Sequence, residues 1–423
     1  MTRIRPFKAL RYDPERVDLS RVIVPPYDVV ADEDRAGFFE RDPHNAIRFE
    51  LTRDVAEEAD TDYAHVRETL DAWTASGVLA RDDAPALYPL RQSFTGPDGE
   101  LLSRDGFFAL VHLEDYERRI VRPHERTLAG PKADRLKMLR AARANLSVVF
   151  MLYEDREGEL ASLLAEALDG APLDRAEDAS GTEHRLARLA DPAAVARVER
   201  FLADRPVVIA DGHHRYETAL AYRDERRAAG EGDGDAAPHE WLLVFLANAF
   251  APGSLLLPIH RLILKGALPT EAGLRERLPG WEQREVRVDD PDRIPALLEE
   301  HLAPLAAQHA FAADDASGRL RLFWRPRGAD ELTVRVIHRE VIEGVFGLDE
   351  EAVRGGAIAY PKSAAQTARD LRGGRGAVAL YLNPLKPEEV FRVTEAGEVL
   401  PQKSTFFTPK LPSGLLFRPL DSA

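Results

Sequence analysis

The run Ile209-Ala210-Asp211-Gly212-His213-His214-Arg215-Tyr216 puts an acid, a glycine, two imidazoles and a guanidinium where an apolar strand gives way to a helix. In that arrangement the first N–H groups of the helix, the positive end of its dipole and Arg215 converge on one point. A phosphate is the natural occupant. Asp211, at the strand end, can hold a metal ion or orient a histidine. His213 and His214 can donate to phosphoryl oxygens or move a proton near neutral pH. The plainer reading makes Asp211 an N-cap and the histidines surface residues of the first helical turn. Zinc is disfavoured, because neighbours at i and i+1 diverge by about 100° on a helix and no HExxH occurs.

A second cluster is Arg122-Pro123-His124-Glu125-Arg126-Thr127, followed by Gly130-Pro131-Lys132. A glutamate between basic residues works as a general base when a substrate buries it, and is only an ion pair when exposed. Gln402-Lys403-Ser404-Thr405 and Lys410 offer cations and hydroxyls to a phosphate, or form a terminal strand with solvated lysines. Asn145-Leu146-Ser147 reads as a capped helix end and Pro25-Pro26-Tyr27-Asp28 as a rigid turn. No GxxxxGK[ST], strand-following GxGxxG or GxSxG occurs, which removes the commonest kinase, dehydrogenase and serine-hydrolase layouts.

The elements that must position these groups follow from periodicity. PVVIADG is a strand feeding a helix that runs through Arg227, and VVFMLY is a second apolar strand. ALYPLRQSF and LLSRDGFFALVHL flank Gly96-Pro97-Asp98-Gly99 and predict a hairpin. Helices are predicted over 62–76, 132–145, 158–168 and 192–203, and NAIRFEL is predicted to be extended. The apolar window Trp241 to Ile259 contains Asn248 and Pro252-Gly253, which favours two buried strands over a membrane span. Residues 228–238 read as a surface loop. Further helices are predicted over 270–278, 292–308, 341–346 and 364–371, with strands LRLFW and AVALYLN. The boundaries expected are 1–265 for a phosphate-binding core, 266–399 for a second α/β region, and 400–423 for a segment folding back to the site.

The chain has 423 residues, 44% hydrophobic and 30% charged, which describes a globular protein of more than one domain. Its net charge of −15 argues against non-specific duplex binding, since that depends on neutralising phosphates. The absence of cysteine excludes thiolate nucleophiles, Cys-ligated zinc and iron–sulfur clusters, and haem has no motif here. No signal-peptide pattern opens the chain, so a cytoplasmic location is expected. The oligomeric state stays open, a homo-oligomer included.

Five stretches in order, IRPFKALRYDP, VPPYDV, RPHERTLAGPKADRLKMLRAARANLS, VIADGHHRYETAL and PQKSTFFTPKLPSGL, resemble the bacterial and archaeal "domain of unknown function 1015" family over nearly the whole chain. More distantly, the Asp-Gly-x-His-Arg turn resembles the free serine kinases of the ParB/sulfiredoxin-like superfamily. There nucleotide phosphates sit on such a turn and an earlier glutamate acts on the serine hydroxyl. The resemblance implies an α/β (α+β) fold with a ParB/sulfiredoxin-like core. It also implies phosphoryl transfer between ATP or ADP with Mg²⁺ and a small hydroxylated metabolite, free L-serine or O-phosphoserine first. On that resemblance Gly212, His213, His214 and Arg215 bind phosphate, His214 also stabilises the transferring group, Asp211 holds Mg²⁺ and Glu125 takes the hydroxyl proton. Lys403, Ser404 and Lys410 add phosphate contacts. Two alternatives stand beside this: a nucleotide-binding switch of ParB type, and a metal-independent phosphatase with His213 or His214 as nucleophile. A helix–strand–helix stretch separates Glu125 from Asp211, whereas the small kinases keep the two parts close.

Overall fold

The computed structural model describes residues 1–27, 29–51, 63–97, 99–125, 129–328, 331–401 and 403–421. Asp28, Asp62, Asp98, Arg126, Thr127 and Gln402, each part of a feature read above, lie outside the described residues. Two compact units emerge. One comprises Met1–Leu255, Phe391–Val399 and Phe407–Ala423, and the other Leu256–Val390 and Leu400–Phe406. Both mix helices and strands, as an α/β chain should.

The first unit is built on a nine-stranded mixed sheet. Its strands are β1 (Ile4–Arg5), β2 (Tyr88–Thr95), β3 (Leu101–His112), β4 (Val121–Arg122), β5 (Val149–Tyr153), β6 (Asp174–Glu177), β7 (Glu183–Leu186), β8 (Val207–Asp211) and β9 (Trp241–Asn248). The order is β4-β8-β5-β9-β3-β2-β7-β6, with β1 beside β3. β5, β8 and β9 read as nearly continuous apolar runs because both their faces are buried. β2 and β3 form the hairpin foreseen from their turn, with Tyr88 opposite Phe108 and Thr95 opposite Leu101. Helices α1 (Ala64–Ala75), α2 (Ala129–Ala142), α3 (Pro192–Ala203) and α4 (His213–Ala228) belong to the same unit. α3 starts where Asp191 accepts from the Ala194 N–H and Pro192 takes the first turn, and it buries Val195, Val198, Phe201 and Leu202.

Three expectations need correcting. NAIRFEL is not extended: the Asn45 side chain accepts the Ile47 N–H at 2.9 Å and starts a helical turn over Ile47–Glu50. α2 stops at Ala142 rather than Asn145, because Arg143 adopts φ 48° and Ala144–Asn145 pairs as a strand with Arg418–Pro419. Asn145 is therefore no helix cap; its side chain accepts the Leu243 N–H at 3.2 Å. The helix expected over 341–346 starts earlier, with an α-turn at Thr333–Val336 widening into a π-turn over Ile337–Glu343.

The second unit carries a six-stranded sheet of β10 (Arg261–Ile263), β11 (Glu282–Arg287), β12 (His309–Asp314), β13 (Arg319–Arg325), β14 (Ile358–Ala359) and β15 (Val378–Leu382), in the order β11-β13-β12-β15-β10-β14. Alternate residues feed two cores. Ile263, Phe311 and Val378 belong to one, and Leu262, Ala312 and Ala379 to the other. Among the described residues, no helix is long and apolar enough to cross a membrane.

Candidate functional site

β8 ends at Asp211, Gly212 turns, and α4 begins at His213. Gly212 has φ 89°, a left-handed conformation that costs an L-residue about 1–2 kcal/mol. A β carbon there would also lie 3.0 Å from Arg215 Nε, so the guanidinium would have to shift to admit it. Gly212 occupies the cap position and has no side chain with which to close the start of α4. Its first N–H groups, which have no acceptor within the helix, lie at the end of β8.

Asp211 divides its carboxylate between two cations. Oδ1 accepts from Lys410 Nζ at 3.0 Å and Oδ2 from Arg215 Nη2 at 3.0 Å. Arg215 also donates to the Val148 carbonyl. Burial pushes the Asp211 pKa up, but Lys410 and Arg215 together outweigh it and hold the carboxyl well below the usual carboxylate range. Each oxygen already meets a positive group, which does not fit a metal ligand. Among the described residues no set of three or more His, Asp or Glu is placed to hold a metal ion.

Lys410 is held in place by groups that motif reading passes over. Arg104 in β3 is 1% exposed and lies over the Phe150 ring at 4.6 Å. It donates to Gln92 Oε1, to the Thr408 carbonyl at 3.4 Å and to the Pro409 carbonyl at 2.6 Å. Gln92 Nε2 then donates to the Lys410 carbonyl at 3.2 Å. Burial lowers the Arg104 pKa to about 9, with the charge of Asp211 opposing the fall, so the guanidinium stays cationic at neutral pH.

The histidines come from two neighbouring chain segments. β4 lies parallel to β8, pairing Val121 with Val207 and Arg122 with Val208, so both strands leave the sheet at the same end. His124, just past β4, donates from Nδ1 to the Ile209 carbonyl, and its backbone N–H donates to His213 Nε2 at 3.3 Å. The two rings meet edge-on at 4.6 Å, and Phe407 packs edge-on to His124 at 5.9 Å. These bonds assign the proton to Nδ1 on both rings. Burial depresses both imidazole pKa values, that of His213 strongly, so both are neutral at pH 7.

Glu125 follows directly, and its charge works against the burial of His124. His214, half-buried on the first turn of α4, is close enough for its charge to act on His213. The first unit thus brings together Glu125, Asp211, Gly212, His213, His214, Arg215 and Lys410. Lys403 and Ser404 belong to the second unit, where Ser404 Oγ donates to the Pro401 carbonyl at 2.6 Å. Sequence reading missed Arg104 and the His124–His213 contact. The available signal for the first was weak, an arginine in the polar first half of the strand LLSRDGFFALVH, whose second half is apolar. For the second, it was a histidine directly after a strand end.

Among solved structures the chain is similar to a conserved hypothetical protein from Pyrococcus furiosus, at 15% identity, TM-score 0.35, covering 75% of this chain and 97% of that one. It is also similar to a free serine kinase in complex with AMP, at 16% identity, TM-score 0.36, covering 73% and 92%. SbnI with C-terminal truncation from Staphylococcus aureus follows at 13% identity, TM-score 0.35, covering 74% and 87%. No curated protein matches the chain. A family model spans residues 4–320, and by that match the chain belongs to the family described as "Protein of unknown function (DUF1015)".

Proposed function

We propose that the Gly212 turn binds phosphoryl oxygens and that the first unit transfers a phosphoryl group to a small hydroxylated metabolite. One observation carries the reading. On a chain of net charge −15, three cations (Lys410, Arg215 and Arg104) act on Asp211 at an uncapped helix start. With neutral histidines alongside, the cluster keeps an excess of positive charge that suits a phosphate. Phosphoryl transfer asks for such positioning and charge neutralisation more than for a covalent nucleophile.

When bound, a nucleotide such as ATP or ADP supplies the phosphoryl group. The first-turn N–H groups of α4, Arg215 and Lys410 hold its oxygens, and His214 stabilises charge on the transferring group. Asp211 acts as the anchor that keeps the two cations aimed at this point. Glu125 accepts the proton of the substrate hydroxyl. Free L-serine is the first candidate substrate, with O-phosphoserine as product, carried over from the motif resemblance. His213 plays a different part, since its Nε2 already accepts the His124 N–H, which argues against attack on phosphorus by that nitrogen.

Phosphorus NMR separates the alternatives. Phosphoserine formed from serine only when ATP or ADP is present supports the transferase. Phosphate released from phosphoserine without nucleotide supports a phosphatase and overturns the reading, and a nucleotide-dependent melting shift without turnover supports a switch. Glu125→Ala is expected to lower kcat by about 10²–10⁴ while nucleotide still raises the melting temperature. Full activity in that variant removes Glu125 from the role.

A further inference from the structure

Arg104, Arg261 and Arg418 are 1%, 4% and 5% exposed, and none has an ion pair among the described residues. A buried guanidinium without a carboxylate is costly unless its donors are satisfied. Arg104 spreads its donors over Gln92, Thr408 and Pro409. Arg418 bonds Asn145 Oδ1 and the carbonyls of Trp241 and Pro238. Arg261, at the start of β10, makes one side-chain bond among the described residues, to the Ile259 carbonyl, and has the Tyr360 ring 5.2 Å from its carbon. Most of its five donors therefore have no acceptor among the described residues.

The surroundings explain why. Arg261 lines a cavity of about 30 Å³ within the second unit, together with Arg327, Gln308, Thr333, Asn383 and Ser404. Glu389 lines it too but is paired with Arg327, which leaves Arg261 as the uncompensated charge. A single water needs about 10–15 Å³ by the same measure, so the space admits the head of one small anion and not a whole nucleotide. Ser404 belongs to the Lys-Ser-Thr motif that sequence reading marked for phosphate, and it lines the same cavity as Arg261.

We propose that this cavity is an anion site, distinct from the Gly212 turn, in which Arg261 receives a carboxylate or phosphate group. The planar fork suits such a group because it can form two parallel N–H···O bonds. Burial lowers the Arg261 pKa to about 10, which still leaves it charged at neutral pH. An oxyanion would give that charge its missing partner.

The test titrates the full chain with inorganic phosphate, acetate and chloride at constant ionic strength, following the melting of each unit. Phosphate or acetate should give a saturable rise in the melting temperature of the second unit beyond that of chloride. Comparing the two distinguishes a phosphate from a carboxylate ligand. Arg261→Met should abolish the rise and, freed of an unpaired charge, melt at or above the wild type in anion-free buffer. Lys410→Met, which alters only the Gly212 turn, should keep the rise. Should Arg261→Met fail to fold, Arg261→Lys keeps the charge without the fork and should bind at least tenfold more weakly. A rise that persists in the Arg261 variants, or that chloride reproduces in full, overturns the proposal.

Discussion

Lys410→Met tests the charge cluster most directly, because it removes the ammonium while leaving an apolar stem of similar length. The backbone should stay in place, since the Lys410 carbonyl is held by Gln92 and its neighbours by Arg104. Lys410 Nζ lies 3.0 Å from Asp211 Oδ1, and both side chains are 20% exposed. At an effective dielectric of about 20, unit charges at that distance attract by about 5.5 kcal/mol. Desolvating the ammonium and screening by water at the exposed part offset much of this. Exposed pairs contribute about 0–1 kcal/mol, and breaking a fully buried pair costs about 3–5 kcal/mol. A pair of this exposure falls between, and the expected loss is about 1–3 kcal/mol at pH 7.

The pH dependence gives the prediction its sign. The carboxyl of Asp211 is depressed in the folded chain, so its contribution is present above the unfolded value of about 3.9 and is lost as pH falls through the folded value. Without Lys410 the folded value rises, so the variant loses this contribution at a higher pH than the wild type does. The stability gap between the two should hold steady from pH 7 to 5 and narrow towards pH 3. Urea unfolding can be read on a Trp281→Phe/Trp324→Phe background, which leaves Trp73 and Trp241, both in the first unit, as reporters. A gap below about 0.3 kcal/mol at pH 7 would lie within the error of additivity and refute the reasoning. So would a gap that widens as acid is added.

Gly212→Ala should destabilise the first unit by about 1–3 kcal/mol through the left-handed backbone, and should displace Arg215 from Asp211. Equilibrium unfolding and phosphate titration measure the two effects separately. His213 has a folded pKa well below its ordinary value, so its contribution to stability is complete above pH 6.5 and declines as pH falls below it. His213→Asn should therefore reduce the pH slope of unfolding free energy between pH 6 and 4.5 by up to about 1.4 kcal/mol per pH unit. An unchanged slope would mean that the imidazole titrates as freely in the fold as out of it.

The elements visible in the sequence are those specified by neighbours a few residues apart. α3 is announced by Asp191, Pro192 and a 3–4 repeat of Val195, Val198 and Phe201. The Asp211–Arg215 half of the site is likewise local, because a strand, a glycine and a helix start suffice to write it. Elements decided at long range stayed hidden. The end of α2 depends on Arg418 and Pro419, which pair with Ala144 and Asn145 from far down the chain. Arg104 was hidden for another reason: Ser103-Arg104-Asp105 reads as solvated strand, and only the return of residues 408–410 makes its interior position tolerable.

That return segment carries the larger argument about specificity. A lysine pinned only by its own ion pair would lose about 2 kcal/mol of side-chain freedom and recover little of it near solvent. Here the carbonyls of Thr408, Pro409 and Lys410 are each bonded to a buried side chain, so the main chain delivers the ammonium to Asp211 before the ion pair forms. Arg104 needs those same carbonyls, since among the described residues no carboxylate makes an ion pair with it and the charge of Asp211 reaches it only at longer range. The buried guanidinium and the charged turn therefore depend on one another. Arg104 has no adequate partners without the segment, and the segment has no fixed path to Asp211 without Arg104. A cluster assembled this way has its cations positioned by the fold itself, and the phosphoryl transfer proposed for this turn would need cations fixed in that way.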